Sequence, residues 1–227
     1  RLRGRAEVYG YGNWAAGLNG RQPQYSSVLG YVDPGLRGMR YAYLPAGRNF
    51  WLDLALELRS YGHEPVLWYG DDRLLPEAKK VFGGCVFLEF SAFSSVESDG
   101  VASSLLREVF SSLDFHWMKD EAIKMMDRLD PHDYWSRKRR EVEFYNALVV
   151  ACGLIESTKP EFLLMSESPH DFFSYVFWRV CKCLKVPCIY FEAISLAPAI
   201  VMVSDDGDTP RRIPRSVRPE SIVMGRV

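Results

Sequence analysis

The segment Glu167-Ser168-Pro169-His170-Asp171 carries the side chains best suited to acid–base chemistry in this sequence. A carboxylate and an imidazole at Glu167 and His170 can serve as a general base and a hydroxyl ligand. The segment follows an apolar run typical of a buried strand, where desolvation and neighbouring charge shift pKa values. Glu167 and His170 are therefore the candidate catalytic residues. A solvent-facing place in the first turn of a helix accounts for His170 equally well.

The rest of this segment has a structural explanation. Ser168 is placed to cap a helix, Pro169 suits the first helical position, and Asp171 lies where a capping box needs its acidic member. We therefore predict a helix from Pro169 to about Leu184. Ser168 remains a candidate for substrate binding as well, together with Ser166 at the end of the preceding strand.

Further polar residues follow other predicted strands. Gly47, Arg48 and Asn49 come after the first strand, and Glu192 ends the fifth. Ligands of open parallel sheets bind beyond the carboxyl ends of the strands, so these residues are expected to line the same cleft. The alternatives are a tight turn with a solvated arginine for the first group and a salt bridge for Glu192.

The elements that must position these residues alternate between apolar strands and helical patterns. Near-continuous apolar strands separated by helices predict a doubly wound, mostly parallel five-stranded sheet of the Rossmann-like α/β class. A multi-helix insertion at about 101–158 separates strands three and four. The predicted strands lie at 39–44, 65–69, 85–90, 161–166 and 187–192. The α/β domain spans 39–203, after an irregular extension at 1–38 and before a linker or severed connection at 204–227.

Composition excludes several classes of protein. The chain has 227 residues, is 48% hydrophobic and carries a formal charge of −1, so no general basic field favours nucleic acid as a partner. The longest uncharged apolar stretch, Ala193–Val203, is interrupted by Pro198 and is too short to cross a bilayer. Dinucleotide-binding, P-loop and nucleophile-elbow motifs are missing from the sequence. We expect a cytoplasmic protein.

Five cysteines give an odd count, and four of them fall inside apolar patterns. They are interpreted as buried small hydrophobic residues in a reducing compartment. The spacing of Cys181, Cys183 and Cys188 matches no common zinc knuckle, so no metal and no resident cofactor are predicted.

Arg137, Lys138, Arg139 and Arg140 form the one dense basic run of the sequence. Such a run is most often a solvated helix face. The more specific interpretation is peripheral contact with an anionic membrane, here the inner membrane, or with a polyanionic glycan.

Two stretches carry a resemblance to a known family. Lys159-Pro160, the apolar strand, and Ser166 to Asp171, followed by an aromatic helix, the strand Val186–Glu192 and Ser204-Asp205-Asp206, resemble bacterial capsular and surface polysaccharide biosynthesis proteins. These are similar to glycosyltransferases of the GT-B type. Leu58 to Val66, with Gly62-His63-Glu64, is also similar to the end of the first helix in many GT-B N-terminal domains.

The resemblance implies the N-terminal, acceptor-side half of a glycosyltransferase. A glycan acceptor would bind here, and a nucleotide-sugar donor would be held by a second α/β domain for which this chain has no room. The chain alone is then expected to be inactive. Two alternatives remain: a non-catalytic glycan- or membrane-docking module of polysaccharide assembly machinery, and a hydrolase using Ser166 or Ser195 with His170.

Overall fold

The structure is a computed structural model that describes residues 38–45, 49–70, 73–89, 104–130, 132, 134–194 and 199–204. The predicted N-terminal extension at 1–38, apart from Gly38, lies outside the described residues. So does the predicted tail beyond Ser204.

Strands and helices alternate in the described part of the chain, as the apolar periodicity predicts. The elements are β1 Arg40–Leu44, α1 Asn49–Ser60, β2 Glu64–Gly70, α2 Leu75–Val81, β3 Val86–Glu89, α3 Ser104–Phe110, α4 Phe115–Leu129, α5 Arg137–Thr158, β4 Phe162–Met165, α6 Phe172–Cys183, β5 Cys188–Ile194 and β6 Ala199–Ser204. Helices α3, α4 and α5 lie between β3 and β4 in chain order.

The strands form a sheet in the order β3-β2-β1-β4-β5-β6. The five predicted strands pair in parallel, and this order is compatible with a Rossmann-like α/β fold. The prediction of five strands is wrong in one respect, because β6 adds an antiparallel edge to β5. The sequence shows Ala193–Val203 as one apolar stretch, and apolar periodicity alone does not indicate that its second part pairs antiparallel to β5.

Alternate residues of the strands bury their side chains on opposite faces of the sheet. Tyr41 and Tyr43 of β1 pack with α1 and α2 on one face, whereas Ala42 and Leu44 pack with α3 to α6 on the other. Two apolar cores on the two faces are what a doubly wound sheet requires. Both cores hold the carboxyl ends of the strands in place.

The basic run at the start of α5 is divided by the fold. The guanidinium of Arg140 is buried, and its Nη1 and Nη2 lie 2.6 Å from Asp127 Oδ1 and 3.1 Å from Asp130 Oδ2. Arg140 is therefore not available to a membrane or glycan, which corrects the prediction for this one residue. Asp130 also accepts hydrogen bonds from the backbone N–H groups of Tyr134 and Trp135, so the α4–α5 connection is fixed in place.

The turn after α1 brings two glycines together at the amino-terminal edge of the sheet. Gly62 has a φ of 86°, the left-handed conformation that suits glycine at a helix end. His63 is buried, and its Nδ1 accepts a hydrogen bond of 3.1 Å from the N–H of Met39. Gly38 approaches so closely that an added Cβ would overlap the Gly62 carbonyl oxygen.

We predict that Gly38→Ala lowers the free energy of unfolding by about 1–3 kcal/mol, because the methyl group meets backbone that cannot move aside. Gly83→Ala is the control, since a Cβ there has open space around it. Urea unfolding of both variants is the measurement. Equal stability of the two would contradict this account of the turn.

No helix in the described ranges is both long enough and apolar enough to cross a membrane.

Candidate functional site

A crevice opens at the carboxyl ends of β1 and β4. Strand β1 pairs with β2 on one side and with β4 on the other, so the connections that follow β1 and β4 diverge here. The last β1–β4 contact is the N–H of Ser166 donating to the carbonyl of Leu44 at 3.0 Å. Pro45 follows on β1 and has no N–H to extend the ladder. Strands β1 and β4 separate at this point.

The crevice holds a pocket of roughly 290 Å³ of empty space, its open mouth included. Its walls come from the ends of β1, β2 and β4 and from the start of α6. The lining residues are Leu44, Pro45, Tyr69, Met165, Ser166, Glu167, Ser168, Asp171 and Ser174. Three of the predicted site residues, Ser166, Glu167 and Ser168, thus share one pocket.

The start of α6 differs from the prediction. Asp171, not Ser168, is the N-cap: its carboxylate accepts a hydrogen bond of 2.9 Å from Ser174 N–H and a second from Ser174 Oγ. The helix begins at Phe172, so Pro169 is not in its first turn. The Asp171 carboxylate caps the N–H of Ser174, so the helix starts three residues later than the predicted Pro169. Residues 166–170 therefore run along the pocket as an irregular segment.

Tyr69 and Asp171 are pocket residues that the sequence did not reveal. Tyr69 is a buried residue of β2, and its ring packs edge-on against Phe173 with 4.5 Å between centroids. Burial, and then the nearby Asp171 carboxylate, raise the pKa of the Tyr69 phenol, which stays protonated at neutral pH. In the sequence, Tyr69 is one of several aromatic strand residues, and Asp171 has the position of the acidic member of a capping box.

The two candidate catalytic residues lie near each other at the mouth of the pocket. Nε2 of His170 is 3.8 Å from Oε1 of Glu167, and Nδ1 of His170 lies 3.1 Å from the carbonyl oxygen of Ser168. Their side chains are 42% and 55% exposed, so the expectation that the strand end would desolvate them is wrong. The irregular segment lifts both side chains towards solvent. Glu167 lines the pocket, whereas His170 lies beside Glu167 and is not a lining residue.

The other predicted residues are placed only in part. Gly47 and Arg48 lie outside the described residues, and Asn49 is the first residue of α1 with its side chain outside the description. Strand β5 continues to Ile194, so Glu192 does not end the strand as predicted. Its backbone pairs with Val201 of β6.

The electrostatics of the pocket favour hydroxyl groups over phosphates. The residues lining it include two carboxylates and three serines, and none of those described is a lysine or arginine. The Asp171 carboxylate also occupies the helix N-terminus, where a phosphate would otherwise bind. Carboxylates accept strong hydrogen bonds from neutral hydroxyls, whereas a dianion would be repelled. The pocket is suited to an uncharged, hydroxyl-rich ligand.

In the part of the chain that the structure describes, metal sites and reactive thiols would be formed by His, Cys, Asp and Glu side chains. That part holds no cluster of three or more His, Cys, Asp or Glu side chains arranged for a metal ion. All five cysteines are free thiols; Cys152, Cys181 and Cys188 are buried, as predicted for these three, and Cys85 and Cys183 are partly buried. Burial raises the pKa of the Cys152 thiol to about 12, which keeps it protonated.

Comparison with known proteins gave no match to any family model, any curated protein or any solved structure.

We predict that Asp171→Ala lowers the free energy of unfolding by about 1 kcal/mol, because the first turn of α6 loses its cap, whereas Asp171→Asn retains most of it. Asp53→Ala, at an exposed position of α1, is the control and is expected to change stability by less than about 0.5 kcal/mol. Chemical denaturation measures all three. An Asp171→Ala protein as stable as the control would show that the cap is unimportant.

Proposed function

We propose that this chain is the acceptor-side part of a cytoplasmic glycosyltransferase that extends a bacterial surface polysaccharide. The sugar of a nucleotide-sugar donor is transferred to a hydroxyl of the glycan acceptor. The observation that supports this function is the pocket at the β1–β4 divergence, which is lined by carboxylates and serines. This pocket supports the same function as the resemblance of Lys159 to Asp171 to surface polysaccharide biosynthesis proteins.

In this proposal the pocket holds the acceptor hydroxyl beside Glu167. The Glu167 carboxylate takes the hydroxyl proton as the oxygen attacks the anomeric carbon of the donor, and the nucleotide diphosphate leaves with the bonding electrons. In this proposal Nε2 of His170, which lies 3.8 Å from Oε1 of Glu167, hydrogen-bonds a sugar hydroxyl held beside that carboxylate. Ser166 and Ser168 hold neighbouring hydroxyls in place, which supplies the positioning on which such transfers depend.

The donor is assigned to a second α/β domain, as the resemblance implies. The acidic lining of the pocket supports placing the donor elsewhere, because its two carboxylates would repel the diphosphate of a nucleotide sugar. Gly47, Arg48 and Asn49, which follow β1 in the sequence, remain candidates for substrate binding in this proposal.

Titration of the chain with a neutral capsular oligosaccharide and, separately, with uridine diphosphate tests the proposal by calorimetry. The oligosaccharide is expected to bind, and the nucleotide to bind far more weakly. Glu167→Gln should weaken oligosaccharide binding by roughly tenfold, because a hydrogen bond to a charged acceptor is replaced by a neutral one.

Matched controls separate the site from general effects on the protein. Glu77→Gln on α2 and His116→Ala on α4 alter exposed residues of the same types away from the pocket. Both controls should bind as the unmodified chain does, whereas Glu167→Gln and His170→Ala should not. Nucleotide binding that is stronger than oligosaccharide binding, or equal loss in the control variants, would overturn the assignment.

A further inference from the structure

The helical segment between β3 and β4 exposes most of the large apolar side chains found on the described surface. Ten large apolar residues are exposed among the described residues, and seven of these ten lie between Phe110 and Tyr145. The seven are Phe110, Leu113, Trp117, Leu129, Tyr134, Val142 and Tyr145. Exposed apolar groups concentrated on one part of a molecule mark an interaction surface.

The junction between α4 and α5 combines apolar and cationic groups. We define the α4–α5 corner by Leu129, Tyr134 and the cations Arg128, Arg137, Lys138 and Arg139. Leu129 and Tyr134 are 65% and 78% exposed, and the four cations are all exposed as well. The corner therefore presents two large apolar side chains surrounded by positive charge.

Salt bridges beside the corner engage two of the neighbouring acids. Arg140 holds the carboxylates of Asp127 and Asp130, so these two acids do not offset the exposed cations in full. Arg137 lies 3.6 Å from Glu141, and the Arg139 guanidinium stacks over the Trp135 ring at 4.3 Å. Against the four cations the sequence adds one further carboxylate within the connection, that of Asp133.

The placement of these cations is unfavourable for an isolated helix. Helix α5 begins with Arg137, Lys138 and Arg139, and its first turn holds no acidic residue. Cations at the positive end of a helix dipole are repelled by it, so this end of the helix favours an anionic partner. An anionic surface placed against this end relieves that repulsion.

We propose that the α4–α5 corner docks onto a bilayer that contains anionic phospholipid. The four cations interact with the lipid headgroups, while Leu129 and Tyr134 enter the boundary between headgroups and acyl chains. A polyanionic glycan would meet the same cations but would gain nothing from an exposed leucine. The pairing of apolar with cationic groups therefore favours the bilayer.

Sedimentation of the full chain with lipid vesicles tests this proposal. We expect binding to vesicles of phosphatidylcholine mixed with phosphatidylserine, weak binding to phosphatidylcholine alone, and a decrease with added salt. The double variant Arg137→Gln, Lys138→Gln should bind about fivefold more weakly for each cation removed. The double variant Leu129→Ser, Tyr134→Ser should lose roughly tenfold.

Each variant has a matched control on another surface. Leu56 and Tyr61 are the same residue types at 40% and 42% exposure, and Lys79 and Lys80 are a pair of cations on α2. Leu56→Ser with Tyr61→Ser, and Lys79→Gln with Lys80→Gln, should leave vesicle binding unchanged. Thermal unfolding should be similar for all four variants, because every altered side chain lies at the surface.

Three outcomes would overturn the proposal. The first is that the chain binds no vesicles, or that the control variants reduce binding as much as the corner variants do, so that the corner is not the contact. Binding to a polyanionic glycan that ignores Leu129→Ser, Tyr134→Ser would identify a glycan site. A chain that self-associates in light scattering and becomes monomeric in that variant would identify an interface between copies.

Discussion

The pairing of β1 with β2 on one side and β4 on the other is the constraint on which the rest of the described structure depends. It directs the connections after β1 and β4 to opposite sides of the sheet, and Pro45 ends the ladder at the point where they separate. The pocket exists because no strand continues across this gap. Both apolar cores serve to hold these strand ends at fixed positions.

The chemistry of the pocket follows from how α6 begins. Asp171 satisfies the N–H of Ser174 and places a negative charge at the positive end of the helix. The same carboxylate faces Tyr69, whose pKa burial and this charge raise. A site of this α/β type often binds phosphate at a helix N-terminus, and here the cap takes that position. This acidic lining is the basis for proposing a neutral, hydroxyl-bearing ligand for the pocket.

The helical segment between β3 and β4 separates two roles within one basic run. Arg140 faces inward and joins α5 to the end of α4, whereas Arg137, Lys138 and Arg139 stay outside. One residue of the run thus stabilises the fold, and the other three are exposed at the surface. The sequence alone does not distinguish Arg140, which is buried, from the three exposed basic residues before it.

Apolar periodicity in the sequence determined the five parallel strands, the helices between them and the placement of Ser166, Glu167 and Ser168 at a strand end. These features depend on local spacing, which a single chain displays directly. Tertiary structure alone decided that Tyr69 and Asp171 share the pocket with them, that Glu167 and His170 face solvent, and that β6 returns along β5. Each of these depends on contacts between residues that are distant in the chain or on the competition between two caps, and neither leaves a periodic signal.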